Sequence, residues 1–160
     1  MKKTTRILAL ILALAALGCL LCACGGGKSV RSDVPVADLA AAVDKAIGGE
    51  KYTTAEESYV KGRLQVDLGA CESYIVRLSG VVDEYGVFKA KDADGAKALE
   101  KDVQTYLKNR LETWMDEYMP EEKPKVENAE CRVVGNYVTY AILSDSNRSA
   151  AFKAVEAALK

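Results

Sequence analysis

The chain has 160 residues, 49% of them hydrophobic and 28% charged, with 22 basic and 23 acidic side chains and no histidine. That length suits a single domain. The missing histidine excludes Ser-His-Asp and Cys-His mechanisms and histidine-based metal sites, and the near-balanced charge offers nucleic acid no basic surface.

Lys2, Lys3 and Arg6 precede the run Ile7 to Cys24, which carries no charged or hydrogen-bonding polar side chain, and no acidic residue comes before Asp33. A basic start followed by a short apolar stretch is the build of an export signal. Leu21-Cys22-Ala23-Cys24 resembles a bacterial lipobox, with a small residue just before a cysteine whose thiol accepts a diacylglyceryl group. The expectation is a signal peptide over 1–23 and lipidation at Cys24; Ala16-Leu17-Gly18-Cys19 is a poorer second candidate, because Ala replaces the branched aliphatic residue. Two acyl chains hold a protein stably where one does not. An uncleaved membrane helix is the alternative, but the run falls short of the about 20 residues a span needs. Residues 1–23 hold three basic and no acidic side chains, so their removal would leave 19 basic against 23 acidic, a net of −4. Gly25-Gly26-Gly27-Lys28-Ser29 opens a flexible linker over 24–33. A single globular domain over 34–160 follows.

Val36, Leu39, Ala40, Val43 and Ile47 recur at helical spacing, and Gly48-Gly49 stops that helix. Thr54-Ala55-Glu56-Glu57 reads as a capping box for a short helix ending near Gly62. Tyr74, Val76 and Leu78 alternate with Ser73, Ile75 and Arg77, which predicts a strand, and Val82 to Ala90 predicts a second. A long helix capped by Asp92 or Asp94 should run to about Tyr118, ended by Pro120. It would outrun the strands at its Trp114–Met119 end. Val126 to Val134 and Tyr137 to Leu143 read as a hairpin turning at Gly135-Asn136, with a last helix from about Ser146 to Leu159.

Val81-Val82-Asp83-Glu84-Tyr85 and Val133-Val134-Gly135-Asn136-Tyr137 match at an offset of 52 residues. The predicted fold is therefore α+β: two strand-strand-helix units pair into a four-stranded antiparallel sheet. Both long helices are expected on one face, after an N-terminal helical prelude. Asp38-Leu39-Ala40, Tyr85-Gly86-Val87-Phe88-Lys89-Ala90-Lys91-Asp92, Tyr118-Met119-Pro120, Val126-Glu127-Asn128-Ala129 and Gly135-Asn136-Tyr137-Val138 carry a further signal. In that order they are similar to a family of short Firmicutes lipoproteins, catalogued as domain of unknown function 4358. The resemblance spans about Val34 to Leu159 and implies location and architecture. It brings no activity and no catalytic residues, and Cys71 and Cys131 are not part of its pattern.

Little in the domain promises chemistry. Cys71 and Cys131 are too few for a structural zinc site and are expected to be unbridged. Ser58-Tyr59-Val60-Lys61 matches the Ser-x-x-Lys of penicillin-binding enzymes, but their partner motifs are missing and the domain is too small for that fold. The acidic pairs Asp83-Glu84, Glu56-Glu57 and Glu121-Glu122 read as solvated surface, with no calcium-loop spacing. Trp114, Met115, Tyr118 and Met119 are the candidate partner contact, flanked by Glu121-Glu122 as an acidic rim. No catalytic residue, metal or cofactor is assigned. The reading is a noncatalytic binding module on the extracytoplasmic face of a bacterial cell membrane, held through its lipid, with an unknown envelope protein or ligand as partner and no nucleic acid. A cell-wall hydrolase without a histidine-based site, or a structural or assembly lipoprotein, are the alternatives.

Overall fold

Two hairpins at the centre of the chain grow from apolar runs bounded by turn residues. They are β2 (Cys71–Leu78) with β3 (Glu84–Ala90), and β4 (Glu130–Val134) with β5 (Tyr137–Ile142). A computed structural model describes residues 30–48 and 52–160. The predicted signal peptide, the lipidation of Cys24 and most of the 24–33 spacer lie outside the described residues. Among the described residues no helix is long and apolar enough to cross a membrane.

β3 and β5 pair at the centre, so both hairpins share one antiparallel sheet, as the sequence predicts. A two-residue strand, β1 (Thr53–Thr54), extends it to five in the order β1-β2-β3-β5-β4. The expected capping box at Thr54 is therefore a correction. Thr54 pairs with Arg77 across the sheet, and its hydroxyl accepts a bond from Arg77 Nη1 at 2.6 Å. Two β-branched residues suit a pleated edge better than a helix entrance. The β4–β5 turn has Gly135 at φ +60° and joins Val134 directly to Tyr137, the geometry of a two-residue hairpin with glycine first.

Helix α1 spans Val36–Ile47, α2 spans Ala93–Glu112 and α3 spans Asp145–Ala158. Asp92 caps α2 by accepting from the Gly95 amide at 2.7 Å, and Ser144 caps α3. The expectation that the two long helices share a face is wrong. Leu99, Val103 and Tyr106 of α2 pack on Val76, Phe88, Val138, Tyr140 and Ile142. Ala151, Phe152 and Val155 of α3 join α1 on Tyr85, Val87, Tyr137 and Ala141, which point the other way. The reason lies in the strands. Nearly every residue of β3 and β5 is buried, so these strands are apolar on both faces, and each face needs its own helical cover. Tyrosine hydroxyls tie the second layer down: the single Tyr85 proton goes to Asp44 Oδ1 at 2.5 Å with Ala40 O beside it at 3.1 Å, and Tyr137 donates to Val34 O at 2.8 Å. The chain joins the domain slightly before the predicted end of the spacer, since the Arg31 amide bonds Leu159 O at 2.9 Å.

α2 also stops earlier than predicted, at Glu112 rather than near Tyr118. Its buried positions end at Tyr106, the Thr113 hydroxyl bonds back to Asn109 O at 2.7 Å, and the Trp114 amide closes a tight turn on Leu111 O at 3.1 Å. Beyond Tyr106 no residue of α2 is fully buried, so little holds further turns against the sheet.

Candidate functional site

Asp102, Thr105, Tyr106, Asn109 and Arg110 of α2, with Thr113 just past its end, fall at spacings of three and four and form one stripe. Facing them is the stretch Gly62 to Gln65, which closes a short helical turn. Glu57–Tyr59 begins as α-helix and widens into a π-turn over Val60–Leu64. Val60 and Leu64 are both buried on the α2 side, and they anchor this turn on the core. Gln65 then takes φ +57°, a left-handed conformation that costs a non-glycine residue about 1 kcal/mol or more. π-Turns and such backbone positions concentrate at functional sites. Between the two walls lies a cleft of 380 Å³. A smaller groove of 180 Å³ continues from it, lined by Val81, Val82, Trp114, Met115 and Tyr118. Arg63, Arg110 and Thr113 line both.

The charges in the cleft are unevenly matched. Neither Arg63 nor Arg110 has a carboxylate partner among the described residues. Arg110 Nε and Trp114 Nε1 are buried donors without an acceptor. The one carboxylate in the lining, Asp102, accepts from the Asp67 amide at 3.0 Å.

Beneath the cleft lies a buried polar cluster. Glu84, only 2% exposed, accepts from Tyr106 at 2.9 and 3.1 Å, from Tyr59 at 3.2 Å, and from Tyr140 through a short bond. Burial pushes its carboxyl above the usual range, while the three hydroxyls and the nearby Arg110 charge pull it back. The same burial, together with the Glu84 charge, raises the Tyr106 and Tyr140 phenols well above their ordinary value, so they remain donors. Reading Asp83-Glu84 as solvated surface is thus a correction. Glu84 faces α2 inside the core, and Asp83 pairs with Lys125 at 2.6 Å. Gly86 makes room for this arrangement, because a Cβ there would clash with the Tyr140 ring.

Of the four residues the sequence proposed as a contact, Trp114, Met115 and Tyr118 line the smaller groove; Met119 does not. They sit on the turn after α2, not on a helical stripe. Met115 and Tyr118 are 66% and 61% exposed, as is Val81 at 64%, whereas Trp114 packs half-buried on the core. Sequence reasoning missed Arg63, Gln65, Asn109 and Arg110. The available signal was the run of short polar residues Asp102, Thr105, Asn109 and Thr113 beside the apolar stripe. Ser58 and Lys61 form no pair: Lys61 is bound to Glu57, which raises its amine further and removes it as a base. Cys71 and Cys131 are free, on β2 and β4 with two strands between them, a separation of about 14 Å at the usual strand spacing. That is beyond disulfide reach, and burial pushes both thiols up to about 12. No cluster of three metal-ligating side chains occurs among the described residues.

A family model matches residues 46–143, from the last turn of α1 to the end of β5. The chain belongs to the DUF4358 family, a domain of unknown function. No curated protein and no solved structure matches it. The portion shared with DUF4358 holds the whole sheet, α2 and both walls of the cleft, while α3 and most of α1 lie outside it.

Proposed function

We propose that this DUF4358 protein is a lipid-anchored, noncatalytic binding module on the extracytoplasmic face of a bacterial cell membrane, and that its ligand site is the cleft between the π-turn and α2. The anchor rests on the Leu21-Cys22-Ala23-Cys24 sequence and the basic, then apolar, stretch before it. One observation carries the binding site. Two guanidinium groups without ion-pair partners and three exposed apolar side chains converge on a single concave surface. A folded core gains nothing from exposing Met115, Tyr118 and Val81 together, whereas a ligand would cover them. Binding without catalysis is favoured because the cleft offers no serine or cysteine nucleophile, its Thr105 and Thr113 hydroxyls donate to backbone carbonyls of α2, and its lone carboxylate is already bonded to a backbone amide.

Native mass spectrometry of the full chain, incubated with the small-molecule fraction of an envelope extract, tests the site. A bound mass is expected on the wild type and not on Arg110→Ala. An unchanged wild-type mass, or the same adduct on the variant, would refute the assignment. Cys24→Ala tests the anchor: the N-terminal peptide should lose its acyl mass, and an acyl group on Cys19 instead would sink it.

A further inference from the structure

The lining of the cleft says which ligand chemistry it suits. Arg63 and Arg110 carry two positive charges, and Asp102 returns one negative charge to the same surface. The site is therefore matched to a single negative charge. A phosphate, nearly doubly charged at neutral pH, would meet Asp102 without a third cation to offset it. A guanidinium presents a planar fork of donors that fits a carboxylate through two parallel bonds, and both Arg63 and Arg110 line the cleft. A lysine pair would give charge without that shape.

The rest of the ligand is set by what continues from the charges. Beyond Arg63 and Arg110 the smaller groove runs past Val81, Met115 and Tyr118, all largely exposed. Methionine and tyrosine together give an adaptable apolar surface with a polar tip. The cleft, at 380 Å³, falls within the range of about 300–1,000 Å³ seen for small-molecule sites.

We infer that the cleft binds a small organic monocarboxylate, its carboxylate between the Arg63 and Arg110 guanidinium groups and its apolar part lying on Met115 and Tyr118. This rests on the cleft being the binding site and adds the class of ligand.

The test is a titration of the full chain in detergent, read by the emission of Trp114, the single tryptophan. The probes are 3-phenylpropionate, its neutral amide and inorganic phosphate. The acid should bind with a dissociation constant on the order of 1 mM, as expected for so small a molecule. The amide and phosphate should each bind at least about tenfold more weakly, for want of a charged fork contact or because of surplus charge. Arg63→Ala should abolish the acid's effect, and Arg63→Lys should restore part of it. Arg63 is exposed and lies outside the core, so this variant folds even if Arg110→Ala does not. Equal binding of acid and amide, tighter binding of phosphate, an Arg63→Ala variant that responds like wild type, or no response to any probe would each overturn the inference. A cleft-dependent adduct from envelope extract alongside failure of the acid would leave the site standing and remove only the ligand class. Absence of both would remove site and class together.

Discussion

Replacing Glu84 separates the two halves of its environment, the burial that opposes its charge and the hydroxyls that support it. In Glu84→Leu, three tyrosine hydroxyls lose their acceptor. Tyr59 is half-exposed and can turn to water, but Tyr106 and Tyr140 are buried. Two stranded hydroxyls at about 1–3 kcal/mol each give a gross loss of about 2–6 kcal/mol, reduced by relief of the buried carboxylate. A net loss of about 2–4 kcal/mol is expected near neutral pH. Glu84→Gln keeps one acceptor oxygen and the shape, and should cost under about 1.5 kcal/mol. The pH dependence has a definite sign. The folded-state pKa of Glu84 lies above its unfolded value, so the folded chain holds the proton more tightly. Its contribution is full below the unfolded pKa and is lost as pH rises through the folded one, by up to about 1.4 kcal/mol per pH unit between them. Glu84→Gln lacks this loss, so it should gain on wild type as pH rises from about 4.5 toward 8. Urea unfolding followed by Trp114 emission measures both effects. A wild type and Glu84→Gln that stay parallel over that range, or a Glu84→Leu as stable as wild type, would refute the account of the cluster.

Gly86→Ala should destabilise the fold by about 1–3 kcal/mol in thermal melts, because its Cβ would meet the Tyr140 ring, and an unchanged melt would mean the ring moves freely. Met115→Ala and Tyr118→Ala should leave stability within about 0.5 kcal/mol, while the half-buried Trp114→Ala loses about 1–3 kcal/mol; a larger loss at Met115 would make that side chain core. At about pH 8 the raised thiols of Cys71 and Cys131 should react slowly with an alkylating agent in the native chain and quickly in urea, and fast native labelling of Cys71 would contradict its burial.

The four longer strands, the three main helices and their order are readable from apolar runs between turn residues, although β4 begins at Glu130 and Val126, read as its start, lies in a short helix over Lys123–Glu127. α1 shows this best, from Val36 to the left-handed Gly48. The placement of the helices on opposite faces was also written in β5, where Tyr137 to Leu143 is apolar at nearly every position. Counting one face per hairpin overlooks that signal. The end of α2 was misjudged because Leu111, Trp114, Met115 and Tyr118 continue the helical spacing although the sheet beneath them does not. Of the cleft, only the polar stripe Asp102, Thr105, Asn109 and Thr113 was legible, and its opposite wall was not. Arg63 and Arg110 are 47 positions apart, and only the π-turn folding Val60 and Leu64 onto α2 brings them together. Glu84 was hidden for the same reason, since its three partners come from the π-turn region, α2 and β5.

The most direct test of the cleft as a ligand site is the melting temperature of Arg63→Ala, alone and with the small-molecule fraction of an envelope extract. Arg63 is exposed and without an ion-pair partner among the described residues, so its loss should leave the unliganded melt within about 0.5 kcal/mol of wild type. Ligand binding to the folded state raises the wild-type melt by mass action, and this rise should vanish in the variant. A variant that melts far below wild type without ligand, or that keeps the full rise with it, would contradict the assignment of this surface to binding.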